Sequence, residues 1–241
     1  MNLKLFGLRL EKLAIALAHP VCWRGIANGV AATIEHLPIL RGLKIDGVID
    51  VGANRGQFTL ACRLALPAVP VVAFEPIPTE AATFRRVHGW SPLVRLIEAA
   101  AGERQGTAVL HLSKSADSSS LLPIGRRQVE FFGDTVEIGT INVPVQRLDD
   151  NVVGWFGRTR QLLKLDVQGF ELSVLRGAVE TLKRCAYVYA ECSEVALYDG
   201  QALRTEVEGF LKTQGFIGQG RFNEQWHAGQ LIQADYLFRR G

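Results

Sequence analysis

The chain has 241 residues, 48% of them hydrophobic, with 27 basic and 24 acidic side chains and a formal net charge of +3. That length and apolar content build one large core, and a near-neutral balance with scattered lysines and arginines excludes the basic footprint of a nucleic-acid-binding protein. Cys22, Cys62, Cys185 and Cys192 form no Cys-x-x-Cys pair and match neither a zinc site nor a small disulfide framework, so reduced thiols in a cytoplasmic protein are expected.

Leu3, Phe6, Leu10, Leu13 and Leu17 recur at alternating intervals of three and four, the seam of an amphipathic helix. Glu11 and Lys12 interrupt its apolar stretch, which excludes both a signal-peptide core and a membrane span of about 20 residues. The seam is expected to pack on the domain or on a second copy of the chain, with Lys4, Arg9 and Lys12 leaving loose membrane contact as the alternative. Ile26, Val30, Ala31, Ile34 and Leu37 then predict a helix over 23–40, ended by Pro38. Residues 1–45 therefore read as an N-terminal helical extension, and 46–241 as the main domain.

Val48-Ile49-Asp50-Val51 is a short buried strand that breaks into Gly52-Ala53-Asn54-Arg55-Gly56, with a helix predicted over 58–66 behind it. Strand, glycine turn and helix start make a Rossmann-type opening. Asn54 stands where a dinucleotide fingerprint has its middle glycine, and a side chain there fills the space through which backbone approaches a pyrophosphate. A nucleoside without a diphosphate is the better fit. The second strand, 71–74, closes with Glu75 and Pro76 about 20 residues after the first glycine, the interval expected of a carboxylate that accepts hydrogen bonds from ribose hydroxyls.

Pro78, Thr79 and Glu80 open the next helix, and 94–97 is a third strand. The small residues from Glu98 and Ala99 to Gly102 leave room for a flat ring. From Gly106 the pattern alternates, predicting antiparallel strands near 106–112 and 136–145. The serine-rich stretch 113–134 between them reads as a lid or substrate loop, with Arg126 and Arg127 a candidate hold on an anionic substrate. Residues 162–166 repeat the design of the first strand, with Asp166 at the end, a Val167-Gln168-Gly169 turn, and a helix over 170–182 whose first turn carries Glu171. A fifth strand, 186–190, ends at Glu191; a helix around Val207, Phe210 and Leu211 is closed by Gly215, and 234–238 is the last strand.

Several of these segments, in order, resemble the FkbM family of S-adenosylmethionine-dependent methyltransferases: Asp50 to Gly56, Phe74 to Pro78, Ala100 to Gly102, Ser118 to Leu122, Leu148-Asp149, Leu163 to Glu171, Val174 to Ala178, and Glu191 with Leu197-Tyr198. The resemblance covers roughly 46–238 and implies a class I methyltransferase fold: α/β, a Rossmann-like seven-stranded and mostly parallel sheet with helices on both faces, here carrying an antiparallel insertion. It implies S-adenosylmethionine across the carboxyl ends of the first strands. Gly52, Ala53, Asn54 and Gly56 would meet its amino-acid moiety, Asp50 would hold the loop or the amine, Glu75 with Pro76 would grip the ribose, and Glu98 and Ala99 would border the adenine. It further implies O-methylation of hydroxyls on sugars, polysaccharides, glycolipids or natural products.

An alcohol acceptor must lose a proton, so a general base is expected. Asp166 is the first candidate and His227 the second, with Glu171 included through its family position. Ser119 and Ser120 are candidate substrate contacts. Glu191 is either another or, with Asp166, half of a divalent-metal site, although a third ligand is missing from the sequence pattern. Two rivals stand beside this reading: a nicotinamide-dependent dehydrogenase, disfavoured by Asn54, and a non-catalytic nucleoside-binding module working through the N-terminal leucine seam.

Overall fold

Two runs rich in valine, isoleucine and leucine, Gly47–Val51 and Gln161–Leu165, are buried at every position and lie side by side in parallel. The computed structural model describes residues 17–152, 154–155 and 160–241. Its strands, in chain order, are β1 Gly47–Val51, β2 Val71–Phe74, β3 Val94–Ile97, β4 Ala100–Ala101, β5 Gly106–Ser113, β6 Glu137–Gln146, β7 Gln161–Leu165, β8 Cys185–Ser193, β9 Phe216–His227 and β10 Gln230–Arg240. Seven of them form one sheet in the order β3-β2-β1-β7-β8-β10-β9, and β10 runs antiparallel to both of its neighbours. This is the class I methyltransferase sheet. The chain leaves after β3 and returns at β7 beside β1, so the strand order reverses between β1 and β7 and opens a crevice above their carboxyl ends.

Alternation of side chains gives the sheet two apolar faces. Ile49, Val51, Leu163, Leu165, Val188 and Ala190 pack on one side against Val174, Leu175 and Leu211. Val48, Leu162 and Tyr189 face the other side, where Phe58 and Leu60 meet Cys22, Val30, Ile34, Leu37 and Leu40. The described part of residues 1–45 thus shares a core with the domain. The leucine seam lies outside the described residues except for Leu17, which is exposed.

The helix expected over 23–40 is broken. Short turns occupy Pro20–Cys22 and Ile34–His36, and helices span Trp23–Ala27 (α1) and Leu37–Gly42 (α2). Gly29 takes a left-handed backbone between them, and Pro38 opens α2 instead of ending a helix, a role its fixed φ favours. The glycine loop leads into α3, Gln57–Ala65, and β2 leads into α4, Pro78–His88. The insertion strands leave the main sheet altogether: β5 and β6 pair antiparallel, and β4 joins β6 in parallel, as a second sheet of three strands. The serine-rich stretch is more ordered than a loop, holding a turn at Ala116–Ser118 and a helix, α5, at Arg126–Phe131.

After the five-residue α6, Leu148–Val152, the helix expected over 170–182 divides into α7, Glu171–Arg176, and α8, Val179–Leu182. Gly177 lies between them, and a Cβ there would fall 2.0 Å from the Gly102 carbonyl oxygen, so the chain bends where the two sheets meet. The last helix, α9, is Arg204–Thr213. All four cysteines are buried free thiols, and no described helix is long and apolar enough to cross a membrane.

Candidate active site

The loop after β1 and the turn after β7 touch at the crevice. A Cβ on Gly52, whose φ is +78°, would fall 1.8 Å from the Asp166 carbonyl oxygen, so only glycine fits. Backbone amides of Gly52 and Ala53 donate to the Phe74 carbonyl, and the Asp166 amide donates to that of Val51. Asn54 also takes a left-handed backbone (φ 50°), which places its amide 2.8 Å from Glu75 Oε2, while the Ile77 amide donates to Oε1 at 2.7 Å. Burial pushes the Glu75 carboxyl up to about 7 against the pull of these two amides.

Above this junction is a half-open cleft. One wall is apolar and finely divided, with Ile77, Ala99, Ala100, Ala101, Leu121 and Phe170, and the serine-rich segment closes over it with Ala116, Asp117, Ser119 and Ser120. Gly52, Asn54, Glu75, Pro76 and Asp166 line the floor and rim. Among the lining residues the charges are Glu75, Asp117 and Asp166, with no lysine or arginine. Such a lining suits a cation and repels a diphosphate.

The other expected cofactor residues lie behind this surface. Asp50 is fully buried and accepts a hydrogen bond from Thr59 Oγ1 at 2.7 Å, so it braces the loop and does not reach a ligand. Ala53 packs with Ala73 and Phe84. Gly56 does not face the cleft: its Cβ position is 2.4 Å from His88 Nε2, and that ring donates to the Gly56 carbonyl at 3.0 Å. Glu98 points to solvent in an ion pair with Arg85, which leaves the ring slot to Ala99 and its neighbours.

Beyond Asp166 the site is built from side chains that hold one another. Gln168, in a left-handed backbone at φ 53°, donates from Nε2 to Asp166 Oδ1 at 2.7 Å and to Glu191 Oε2 at 2.8 Å. Gln233 donates to the other Glu191 oxygen at 3.0 Å, and Asn223 to Asp235 at 2.7 Å. Strand register puts Glu191 opposite Asp235. Burial, then repulsion from Asp166 and Asp235, holds the Glu191 carboxyl well above the usual carboxylate range.

The remaining candidates divide. Ser120 donates to the Gln168 carbonyl at 2.7 Å, and Ser119 Oγ accepts from the Ser113 amide at 3.1 Å, so both fasten the segment that covers the cleft. Tyr198 adds a hydroxyl within reach of Ser118 O and Gln168 Oε1. Glu171 accepts from the amides of Val167 and Gly169, tying the turn from beneath, and burial raises its carboxyl to about 7. His227 is the exposed last residue of β9, its ring 4.4 Å from that of Phe131, and does not line the cleft. Neither therefore occupies a catalytic position in this geometry. No group of three His, Cys, Asp or Glu placed to hold a metal occurs among the described residues, so Asp166 and Glu191 gain no third ligand.

The Methyltransferase FkbM domain model matches residues 50–217. The chain belongs to this family. It is 30% identical over 203 residues to the 2-O-methyltransferase NoeI of Sinorhizobium fredii, covering 79% of this chain and 83% of that protein. To the methyltransferase sdnD of Sordaria araneosa it is 25% identical, over 70% of this chain and 73% of the relative. Among solved structures it is similar to the precorrin-6Y C5,15-methyltransferase of Geobacter metallireducens, with a TM-score of 0.47, 13% identity and 86% of each chain covered.

The FkbM chain is an S-adenosylmethionine-dependent methyltransferase, and its cleft fits that nucleoside. A buried carboxylate with free lone pairs suits ribose hydroxyls, a slot of alanines suits adenine, and an acidic lining suits a sulfonium. Sequence reasoning missed Lys164, Gln168, Gln233, Asp235 and Asn223. A lone lysine inside an apolar strand was the available signal for the first, and a place in the turn after Asp166 for the second; Gln233, Asp235 and Asn223 carried none.

Proposed function

We propose that the enzyme methylates a hydroxyl oxygen on a carbohydrate-bearing acceptor, a glycan, glycolipid or glycosylated natural product, with Asp166 taking the hydroxyl proton. The observation that carries this reading is Asp166 itself. It lines the nucleoside cleft, yet 37% of its side chain stays exposed, while Gln168 fixes one of its oxygens. A carboxylate so placed reaches an acceptor that approaches from outside.

Bound S-adenosylmethionine supplies an activated methyl group on a sulfonium, so alignment can provide much of the rate. Glu75 would hold the ribose through its unshared lone pairs, and Ala99, Ala100 and Ala101 would leave room for the ring. Asp166 accepts the proton as the acceptor oxygen forms its bond to carbon. The Glu191, Gln233, Asp235 and Asn223 row beside it offers fixed donors and acceptors of the kind that read several hydroxyls at once. The name of the relative from Sinorhizobium fredii, a 2-O-methyltransferase, supports an oxygen acceptor.

The test uses purified enzyme with methyl-labelled S-adenosylmethionine and a panel of defined nucleotide sugars, glycolipids and oligosaccharides, followed by mass spectrometry of hydrolysed products. An O-methyl sugar is expected; label only on nitrogen or carbon sinks the acceptor assignment. Asp166→Asn should lower kcat by about 10²–10⁴-fold while S-adenosylhomocysteine still binds, since the amide keeps the shape and loses the base.

A further inference from the structure

Lys164 sits next to the carboxyl end of β7, between leucines, with only 8% of its side chain exposed. Its ammonium lies 3.2 Å from Asp166 Oδ2, 3.6 Å from Asp50 Oδ1 and 3.4 Å from the Gly52 carbonyl oxygen. Asp50 Oδ1 has no hydrogen-bond partner, so the ammonium is its compensation. Burial alone would lower the lysine's pKa, and the Asp166 and Asp50 carboxylates reverse this and hold it above the ordinary range.

A buried cation is expensive to desolvate, and removing one partner of a buried pair leaves the other charge uncompensated. Compensation of Asp50 therefore gives one reason for the charge on Lys164, aided by the face of the Phe58 ring 5.4 Å from Nζ. It does not account for Asp166, whose side chain is 37% exposed and yet lies nearer to the ammonium than Asp50 does. The three acceptors join two segments far apart in the chain, the end of β1 with its glycine loop and the turn after β7. Those segments meet where Gly52 lies against the Asp166 carbonyl. With Lys164 on Oδ2 and Gln168 on Oδ1, the Asp166 carboxylate is held from both sides.

We propose that Lys164 is a positioning residue for methyl transfer, its ammonium tying the cofactor loop at Gly52 to the Asp166 carboxylate and so fixing the proton acceptor relative to the bound nucleoside. The proposal rests on the reading of Asp166 as that acceptor.

The test measures S-adenosylhomocysteine binding by calorimetry on wild type, Lys164→Met and Lys164→Arg, and on the same proteins kcat and KM with the acceptor panel described above. In Lys164→Met binding should weaken about tenfold as the Gly52 loop loses a charged donor. Its kcat should fall about tenfold or more as the Asp166 carboxylate loses one of its two holds. Lys164→Arg, which keeps the charge, should recover most of both losses. Unchanged binding, or unchanged kcat, in Lys164→Met overturns the proposal. If Lys164→Met does not fold, Lys164→Gln, which keeps a donor without the charge, gives the same two readings. Wild-type kcat in Asp166→Asn would instead sink the proton-acceptor reading, a failure distinct from unchanged binding in Lys164→Met.

Discussion

The two sides of the crevice are built on different physics. On the side of β1, β2 and β3 the cleft is shaped by backbone: Gly52 against a carbonyl, Asn54 in a left-handed turn, and a row of alanines. On the side of β7, β8 and β10 it is lined by Asp166 and Gln168, backed by charged and amide side chains that hold them and one another, Lys164, Glu191 and Gln233. Sterics leave no freedom on the first side, whereas electrostatics tune the second. Nucleoside binding should therefore break with added volume, and acceptor chemistry with altered charge.

The largest effect expected is that of one methyl group on the first side. Gly52→Ala combines a φ of +78° with a Cβ 1.8 Å from the Asp166 carbonyl oxygen, and it should cost about 3 kcal/mol or more of folding stability. Gly133→Ala is the matched control, since nothing lies within 4 Å of its Cβ position, and it should stay within about 0.5 kcal/mol of wild type. Urea unfolding of both variants checks the pair. A Gly52→Ala protein as stable as Gly133→Ala would show that the two loops can part at small cost.

The same contrast explains which parts were legible in the sequence. Residues 48–56 and 71–76 carry their information in local spacing: apolar strand, glycine, Asn54, then Glu75, all inside two consecutive strand-turn-helix units. The seven-stranded, mostly parallel sheet was implied by the resemblance those segments carried, whereas its strand order came only with the fold. The acceptor side is assembled from residues far apart, since Gln168 reaches Glu191 and Glu191 reaches Gln233 through pairings that only the fold creates. Gly56 was expected at the nucleoside, and Asp50 at the loop or the amine, because local spacing cannot distinguish a glycine facing a nucleoside from one packed under His88, or an acid that braces a loop from one that meets a ligand. Likewise, nothing in the periodicity of 170–182 shows that Gly102 will press on Gly177 and split the helix.

Charge offers the second way to separate the two functions, through pH. Glu75 and Glu171 both stand at about 7 in the folded chain against an ordinary value of 4.5, in each case chiefly through burial. The folded state thus binds more protons than the unfolded state between those values, so stability should fall as pH rises from 4.5 to about 7. Ligand binding runs the other way at Glu75, because ribose hydroxyls donate to the ionised carboxylate. S-adenosylhomocysteine affinity should rise across the same window, and Glu75→Gln should flatten that rise and weaken binding about tenfold above it. Glu171→Gln should flatten part of the stability slope and leave the binding slope in place. Affinity independent of pH in the wild-type protein would remove Glu75 from the ribose.

The smallest effect marks where the acceptor side ends. His227 has the chemistry of a general base, but it is exposed at the tip of the β9–β10 hairpin and packs on Phe131 in the helix that follows the covering segment. Its ring does not line the cleft, and no contact links it to the Asp166 network among the described residues. His227→Ala should therefore leave kcat within about twofold, against the ~10²-fold or larger loss that follows removal of a group that moves the proton. Side-by-side kinetics of His227→Ala and Asp166→Asn on one acceptor make the comparison. Equal losses would mean that the hairpin and α5 fold down onto the acceptor during turnover, carrying the polar row one strand further from the nucleoside than Asp235.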